Sequence, residues 1–490
     1  MLSEFEKSTT PIDFFFKFLD EEVQESIVYQ SNLYIQQKQR NVPTFSLHDL
    51  RGFLGINVVM GYHKLPSIAH YWSNHPDLNV PIVSSTMTRR RFQSLLANLH
   101  VNDDSLPAGT DKLWKVRPLI DSLNKNFQKL YDVRRTQSVD ESMILFKGRS
   151  CLKQYNPKKP IKRGYKLWVR ADMSGYISKF AVYQGKNTLL EGNYPTSFGL
   201  GESVVAGLCE DILHKGHTVY CDNYFTSLPL LTYLKENGTN ACGTIRCNRV
   251  GLPVLKTEKQ LEERGNYDYR VRDDGLFVCR WLDNKVVMVA SNFHSTSPTE
   301  VLRTMKDGTR KSFPCPPAVK DYNIFMGGVD IADQLCASYG LSRKSKKWWH
   351  RIFFGLLDRA LVNSYIVYQS MHEKMSHLNF TREVALALLT MGRPPKVGRP
   401  LAASPAASPR PVVFQPPAKR RKGQKFSVPD GVRLQEVGLH YLIFNEKRGR
   451  CEVCSNNGVQ SRPKSKCKIC NVFVCCNENK NCFLQLHGLA

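Results

Sequence analysis

Apolar and polar positions change their spacing along this chain, and the changes divide it. Over the first 130 residues the apolar positions recur mainly at helical intervals. Thr44 to Met60 and Thr86 to Leu99 are the expected helices. In the second, Phe92, Leu95, Leu96 and Leu99 form one face, and Arg89, Arg90 and Arg91 lie near its start, either on phosphate or as a solvated face. From about 135 to 248 strands and helices alternate. Val139, Met143, Leu145 and Phe146 predict a strand around Asp140. His217 to Cys221 predicts another, with a turn at Asp222-Asn223. A helix follows, because Leu228, Leu230, Leu231 and Leu234 repeat at its spacing. Asp172 ends a further candidate strand, where a turn role is expected. Tyr267 to Ala290 carries short alternating runs with a hairpin turn at Asp283-Asn284. The 107 residues between Asp222 and Asp330 exceed what a compact core needs, so 249–316 reads as a mainly β insertion. The longest apolar stretch, Ile352 to Tyr368, contains Asp358, Arg359 and Asn363 and predicts a buried core helix, not a membrane span.

Four aspartates stand within this pattern. Asp140 lies in Ser138-Val-Asp-Glu-Ser-Met-Ile-Leu-Phe-Lys-Gly-Arg, Asp222 in Thr218-Val-Tyr-Cys-Asp-Asn-Tyr-Phe-Thr-Ser, and Asp330 with Asp333 in Gly327-Gly-Val-Asp-Ile-Ala-Asp-Gln. A carboxylate after a strand and before a helix is where open α/β sheets hold ligands. If Gly327-Gly328 precedes a helix, Asp330 and Asp333 share one face, with Cβ atoms about 5–6 Å apart. One or both could reach a metal, or Asp330 could merely cap the helix. A lone aspartate at a strand end is ordinarily a turn or cap residue. Converging carboxylates from distant segments are instead the usual way to hold two Mg²⁺ ions, about 4 Å apart, for phosphodiester chemistry.

Charge narrows the partner. The chain has 490 residues, with 69 Lys and Arg against 43 Asp and Glu, a formal net charge of +26. A polyanion is implied, nucleic acid first. Two basic groups flank the aspartates: Lys158, Lys159, Lys162, Arg163 and Lys166, then Arg343, Lys344, Lys346 and Lys347 beside Trp348 and Trp349. They are candidates for phosphate contacts, while at least one of the tryptophans is expected in the core. Residues 392–429 hold nine prolines, nine Lys or Arg and no acidic residue, which predicts a disordered basic linker, drawn here as 392–435. Within it Lys419-Arg-Arg-Lys reads as a nuclear import signal. The polar start, Met1-Leu-Ser-Glu-Phe-Glu-Lys, does not read as a signal peptide, so an intracellular, nuclear protein without membrane anchorage is expected.

Seven of the 15 cysteines fall in the last 40 residues. Cys451-x2-Cys454 and Cys467-x2-Cys470 are followed by Cys475, Cys476, Cys482 and His487. Paired CxxC units at this separation predict structural zinc, and seven or eight ligands imply two interleaved Zn²⁺ ions. The eighth ligand is Cys476 or His440.

Together these motifs resemble the piggyBac transposase family. The resemblance extends to Tyr155-Asn-Pro-Lys-Lys-Pro-Ile-Lys-Arg-Gly-Tyr-Lys, Asp321-Tyr-Asn-Ile-Phe-Met-Gly-Gly-Val-Asp and Ser342-Arg-Lys-Ser-Lys-Lys-Trp-Trp. Thr10-Pro-Ile-Asp-Phe-Phe and Arg91-Phe-Gln-Ser-Leu-Leu-Ala-Asn-Leu-His are similar to family segments as well. It implies an α/β architecture with an RNase H-like catalytic core at 135–248 and 317–339, and a β-rich insertion at 249–316. It further implies a helical dimerisation and DNA-binding domain at 1–134 and 340–391, and a cross-brace zinc domain at 436–490 that binds the transposon end. Asp140, Asp222 and Asp330 would hold two Mg²⁺, with Mn²⁺ able to substitute, and Asp333 would assist. Cys475 rather than Cys476 matches the family's hydrophobic approach to a ligand. The implied activity is cut-and-paste transposition by a homodimer on double-stranded DNA: nicking at the terminal inverted repeats, hairpin formation and opening, and joining to TTAA. Family members often carry a longer acidic N-terminal extension, whereas this chain enters the family-like region at about residue 10. The rival expectation is a domesticated DNA-binding or chromatin protein with no required catalysis.

Overall fold

The computed structural model describes residues 5, 8–107, 109–157, 159–185, 194–341, 345, 347–393, 426–434, 440–477 and 480–488. The chain divides into two units, one within Met1–Val397 and one within Gly398–Ala490. Most of the expected linker, with its Lys419-Arg-Arg-Lys run, lies outside the described residues.

In the first unit, α1 (Pro11–Phe18) opens on a capping box in which the Thr10 amide and hydroxyl both donate to the Asp13 carboxylate. Then come α2 (Glu21–Gln37), α3 (Leu47–Tyr62), the short α4 (Pro81–Ser84), α5 (Arg89–Asn98) and α6 (Arg117–Leu130). The two helices expected from periodicity start about three residues late, because side-chain caps fix their ends. Ser46 caps α3 in a box with Asp49, and Thr88 accepts the Arg91 amide at the start of α5.

The strands follow: β1 (Thr136–Leu145), β2 (Lys153–Tyr155), β3 (Arg163–Asp172), β4 (Ile177–Val182), β5 (Thr218–Cys221) and β6 (Asn240–Thr244). Between them lie α7 (Leu200–Cys209) and α8 (Leu228–Glu236). In the sheet β4 and β2 both pair with β3, which pairs antiparallel with β1; β1, β5 and β6 then run parallel. After the small α9 (Glu258–Leu261) come β7 (Tyr267–Val271), β8 (Phe277–Leu282) and β9 (Val286–Ser291). These do not form a separate sheet: β9 pairs with β6 and continues the central one. Only β10 (Thr299–Thr304) and β11 (Arg310–Cys315) stand apart, as a two-stranded ribbon. α10 (Pro317–Phe325), α11 (Gly328–Ser338), α12 (Trp348–Met371) and α13 (His377–Met391) close the unit.

Strand alternation sorts the side chains to two faces. Val139, Trp168, Val219 and Cys221 pack under α7 and α8. Ile144, Leu167, Val169 and Ala171 join Val329, Ala332 and the N- and C-terminal helices in one large core. α12 is buried along most of its length, and three of its polar residues, Asp358, Arg359 and Asn363, each have a use. Asp358 accepts the Leu341 amide at 2.9 Å, Asn363 bonds both the amide and the carbonyl of Ile177, and Arg359 reaches β1. No described helix is long and apolar enough to cross a membrane.

The second unit contains α14 (Asp430–Arg433), β12 (Leu442–Phe444), α15 (Glu452–Asn456), β13 (Ser465–Cys467), β14 (Cys476–Asn477), β15 (Lys480–Asn481) and α16 (Cys482–Leu486). Its core consists largely of cysteines.

Candidate active site

β1 and β5 lie side by side, and their last paired residues are Val139 and Cys221. Asp140 and Asp222 each come one residue later, on adjacent strands whose backbones stand about 4.8 Å apart. Val139 and Cys221 point under α7 and α8, so the next residue of each strand faces the opposite side. The Asp222 carboxylate accepts the Tyr224 amide at 2.8 Å, which tightens the turn that ends β5.

Asp330 arrives from α11. Gly328 lets that helix approach the sheet: a Cβ there would stand 2.3 Å from the Asp172 carbonyl and 2.6 Å from the Ser138 hydroxyl. Asp330 sits in the first turn, where the helix dipole favours a negative charge. Lys159 links it to β1, with Nζ 2.7 Å from Asp140 Oδ2 and 3.4 Å from Asp330 Oδ1. Burial pushes the Asp140 carboxyl up to about 6; the Lys159 ammonium opposes this and the Asp222 charge adds to it. Burial by itself would lower the Lys159 ammonium, but Asp140, and after it Asp330 and Asp333, hold it above its ordinary value.

Asp333 lies one turn on and is otherwise engaged. Its Oδ1 accepts the Ser142 hydroxyl at 2.5 Å, and that hydroxyl accepts from the buried Arg359 guanidinium at 2.5 Å. Arg359 also stands 3.7 Å from Asp333 Oδ1 and donates to the Gly355 carbonyl. Burial raises the Asp333 carboxyl against the pull of Arg359 and Ser142. Thus Asp140 lies beside Asp222 on the neighbouring strand and shares the Lys159 ammonium with Asp330, while Asp333 is tied to the scaffold through Ser142 and Arg359. Asp172 serves its turn, accepting the Ser174 amide at 2.8 Å.

The basic candidates separate in the same way. Lys162 and Arg163 are exposed, and Arg163 lies over the Tyr155 ring at 5.5 Å. Lys166 pairs with Glu141. Lys347 donates to the Ala97 carbonyl at 2.7 Å, and burial lowers its ammonium to about 8. Lys158, Arg343, Lys344 and Lys346 lie outside the described residues. Arg91 is committed to Asp49 and to the carbonyls of Pro43 and Thr44, whereas Arg89 and Arg90 are exposed. Trp349 is buried and Trp348 partly so. Sequence reasoning overlooked Ser142, Arg359, Arg246 and Arg249. Strand parity with Asp140 pointed to Ser142, and a charge inside an apolar helix pointed to Arg359. Arg246 and Arg249 bond Asn223, and Arg249 also Tyr224, on the loop that carries Asp222.

Among its described residues the second unit holds two buried Cys/His groups that could each hold a metal ion. In each, the donor atoms lie within 4.8 Å of one another: His440, Cys467, Cys470 and His487 form one, and Cys451, Cys454, Cys475 and Cys482 the other. Along the chain the two sets alternate. The Cys454 sulfur stands 3.7 Å from that of Cys475 and 3.6 Å from that of Cys482. A tetrahedral zinc with Zn–S near 2.3 Å has sulfur–sulfur edges of about 3.8 Å, so the spacing fits. The Phe483 carbonyl accepts His487 Nδ1–H at 2.7 Å, which turns Nε2 toward Cys470. His440, not Cys476, completes the set; Cys476 is exposed on β14.

A family model described as Transposase IS4 matches residues 10–365. Human PiggyBac transposable element-derived protein 3 is 34% identical over 488 residues, which cover 98% of this chain and 76% of that one. This chain belongs to the piggyBac transposase family. A second human piggyBac relative, PiggyBac transposable element-derived protein 2, is 29% identical over 455 residues, covering 91% of this chain and 72% of its own. The mixed α/β fold is similar to that of a piggyBac transposase. The cryo-EM structure of a piggyBac transposase synaptic complex with hairpin DNA superposes with a TM-score of 0.69 at 25% identity, covering 80% of this chain and 83% of that one.

Proposed function

We propose that this piggyBac family member is a cut-and-paste DNA transposase whose acidic site cleaves and joins strands with two Mg²⁺ ions, for which Mn²⁺ can substitute. The observation that carries the reading is that Asp140 neighbours Asp222 across two paired strands and is bridged to Asp330 by one ammonium. Asp140, within β1, and Asp222, just after β5, each follow the last parallel pair of these strands. Their donors are all carboxylate oxygens, the type hard divalent ions prefer, and two already attract one cation. Bound there, two divalent ions would lower the pKa of water and stabilise the attacking and leaving oxygens.

The chain's own residues have distinct tasks. Asp140, Asp222 and Asp330 hold the ions; Asp333 positions α11 through Ser142 and Arg359. Lys162 and Arg163 contact phosphate from the exposed edge of the β2–β3 hairpin, and Arg246 and Arg249 brace the Asp222 loop. No protein nucleophile is needed, since water and the freed 3′-hydroxyl attack in turn. The sequence of nick, hairpin, reopening and joining at TTAA rests on family likeness, and the relative solved with hairpin DNA supports it.

The sheet order supports an RNase H-like core: β4, β3 and β1 antiparallel, then β5 and β6 parallel to β1. The helices before β1 and after α11 form the dimerisation and DNA-binding domain, because two ends must be cut together. In the second unit the two ligand sets hold structural Zn²⁺. The exposed Lys447, Arg448, Arg450, Arg462, Lys464 and Lys468 there supply phosphate contacts for binding a transposon end. The work is nuclear.

An excision and integration assay with inverted repeats flanked by TTAA tests the proposal. Wild type should give both products. End binding without excision or integration would instead mark a transposase-derived DNA-binding protein.

A further inference from the structure

Lys159 sits in the turn between β2 and β3, with its side chain 16% exposed. Some of its other described neighbours point elsewhere or outward. Asn156 donates to the Glu141 carboxylate at 3.0 Å, and Lys162 and Arg163 face solvent. Lys159 turns inward, toward Asp140 and Asp330.

Those are two of the three carboxylates assigned above to the metals. A carboxylate oxygen that accepts from an ammonium at 2.7 Å cannot also bind a divalent ion on the same side, and the two cations repel at such range. Resting on the metal reading of the acidic site, we infer that Lys159 is the site's resident counter-cation, which competes with a divalent ion for Asp140 and Asp330. In the metal-free protein its ammonium holds a buried carboxylate and its neighbour at close quarters. When the ion arrives the ammonium leaves, and the hairpin edge that already carries Lys162 and Arg163 gains a further cation. Lys159 is thus a positioning residue whose state reports metal loading.

The test is Mn²⁺ binding to the full zinc-loaded chain without DNA, followed by electron paramagnetic resonance. Lys159→Met and the milder Lys159→Gln should bind Mn²⁺ about tenfold more tightly than wild type, the least expected from removing a unit charge in contact. Lys162→Met should change affinity by no more than about twofold, because an exposed charge is screened. Asp140→Asn should lose most binding. Before Mn²⁺ is added, Lys159→Met should melt below wild type, and saturating Mn²⁺ should remove the difference. Equal or weaker binding by both Lys159 variants, with wild type binding well, overturns the inference alone. So does an equal gain from Lys162→Met. Absence of binding to wild type, or binding unaffected by Asp140→Asn, overturns the metal reading and the inference with it.

Discussion

Replacing Asp140 with Asn should make the metal-free protein more stable. The carboxylate is 14% exposed, and burial holds it near 6 against an ordinary 3.8. At 1.36 kcal/mol per pKa unit the difference is about 3 kcal/mol. The folded state binds this proton more tightly than the unfolded state does. Stability is therefore highest below the unfolded value and falls as pH rises through the window from about 4 to about 6. At pH 7.5 the ionised carboxylate costs the fold the full amount; at pH 5, about half of it. Asn has the same shape and does not titrate. Asp140→Asn should raise the thermal midpoint at pH 7.5 by about 3–6 °C, allowing for a unit larger than those in which 1 kcal/mol moves it about 2–4 °C. The gain should be about half as large at pH 5. Thermal unfolding by near-ultraviolet circular dichroism, without added divalent ions, reads both. A loss of stability, or a gain independent of pH, would refute the reasoning, because it would mean that Asp140 is not held above its ordinary pKa.

His440→Ala should reduce tightly bound zinc from two ions to one, whereas Cys476→Ser should keep both; metal analysis of the purified chain decides, and the reverse pattern would exchange the ligands. Arg359→Met leaves the half-buried Asp333 with the Ser142 hydroxyl but without its guanidinium, so it should destabilise the fold by roughly 1.5–3 kcal/mol, read by denaturant unfolding. Asp333→Asn should slow strand cleavage less than Asp330→Asn does, and equal losses in a kinetic assay would return Asp333 to the metals. Lys162→Ala and Arg163→Ala should weaken binding to all DNA sequences alike and flatten the salt dependence by about one unit each. A sequence-selective loss in a binding titration would mean that these residues read bases.

Local chemistry was legible in the sequence where one segment sufficed. The short strand and turn at Asp222, the leucine-patterned helix after it and the glycines before Asp330 all lie within a dozen residues of the groups they place. Cys476 could have been excluded on the same grounds, since neighbours in an extended chain point to opposite sides and Cys475 points inward. Pairings between distant segments were not legible. Alternation announced strands between 249 and 316 but not that β9 would bond β6 and join the central sheet. Arg359 announced itself as a charge in an apolar helix, yet its partner Ser142 is 217 residues away. Lys347 and Lys162 look alike in sequence, and only packing shows that one is spent on the Ala97 carbonyl while the other is free in solvent.

The central claim, that Asp140, Asp222 and Asp330 form one metal-dependent centre for DNA strand cleavage, is tested most directly by end cleavage with purified protein. The substrate is a DNA carrying a candidate inverted repeat flanked by TTAA. Wild type should nick it in Mg²⁺ or Mn²⁺ and fail in Ca²⁺, which tolerates looser geometry, or in chelator. Asp140→Ala, Asp222→Ala and Asp330→Ala should each bind the end nearly as wild type does and cut it undetectably. Cleavage that persists in chelator, or strong cleavage by any of the three variants, would contradict the account.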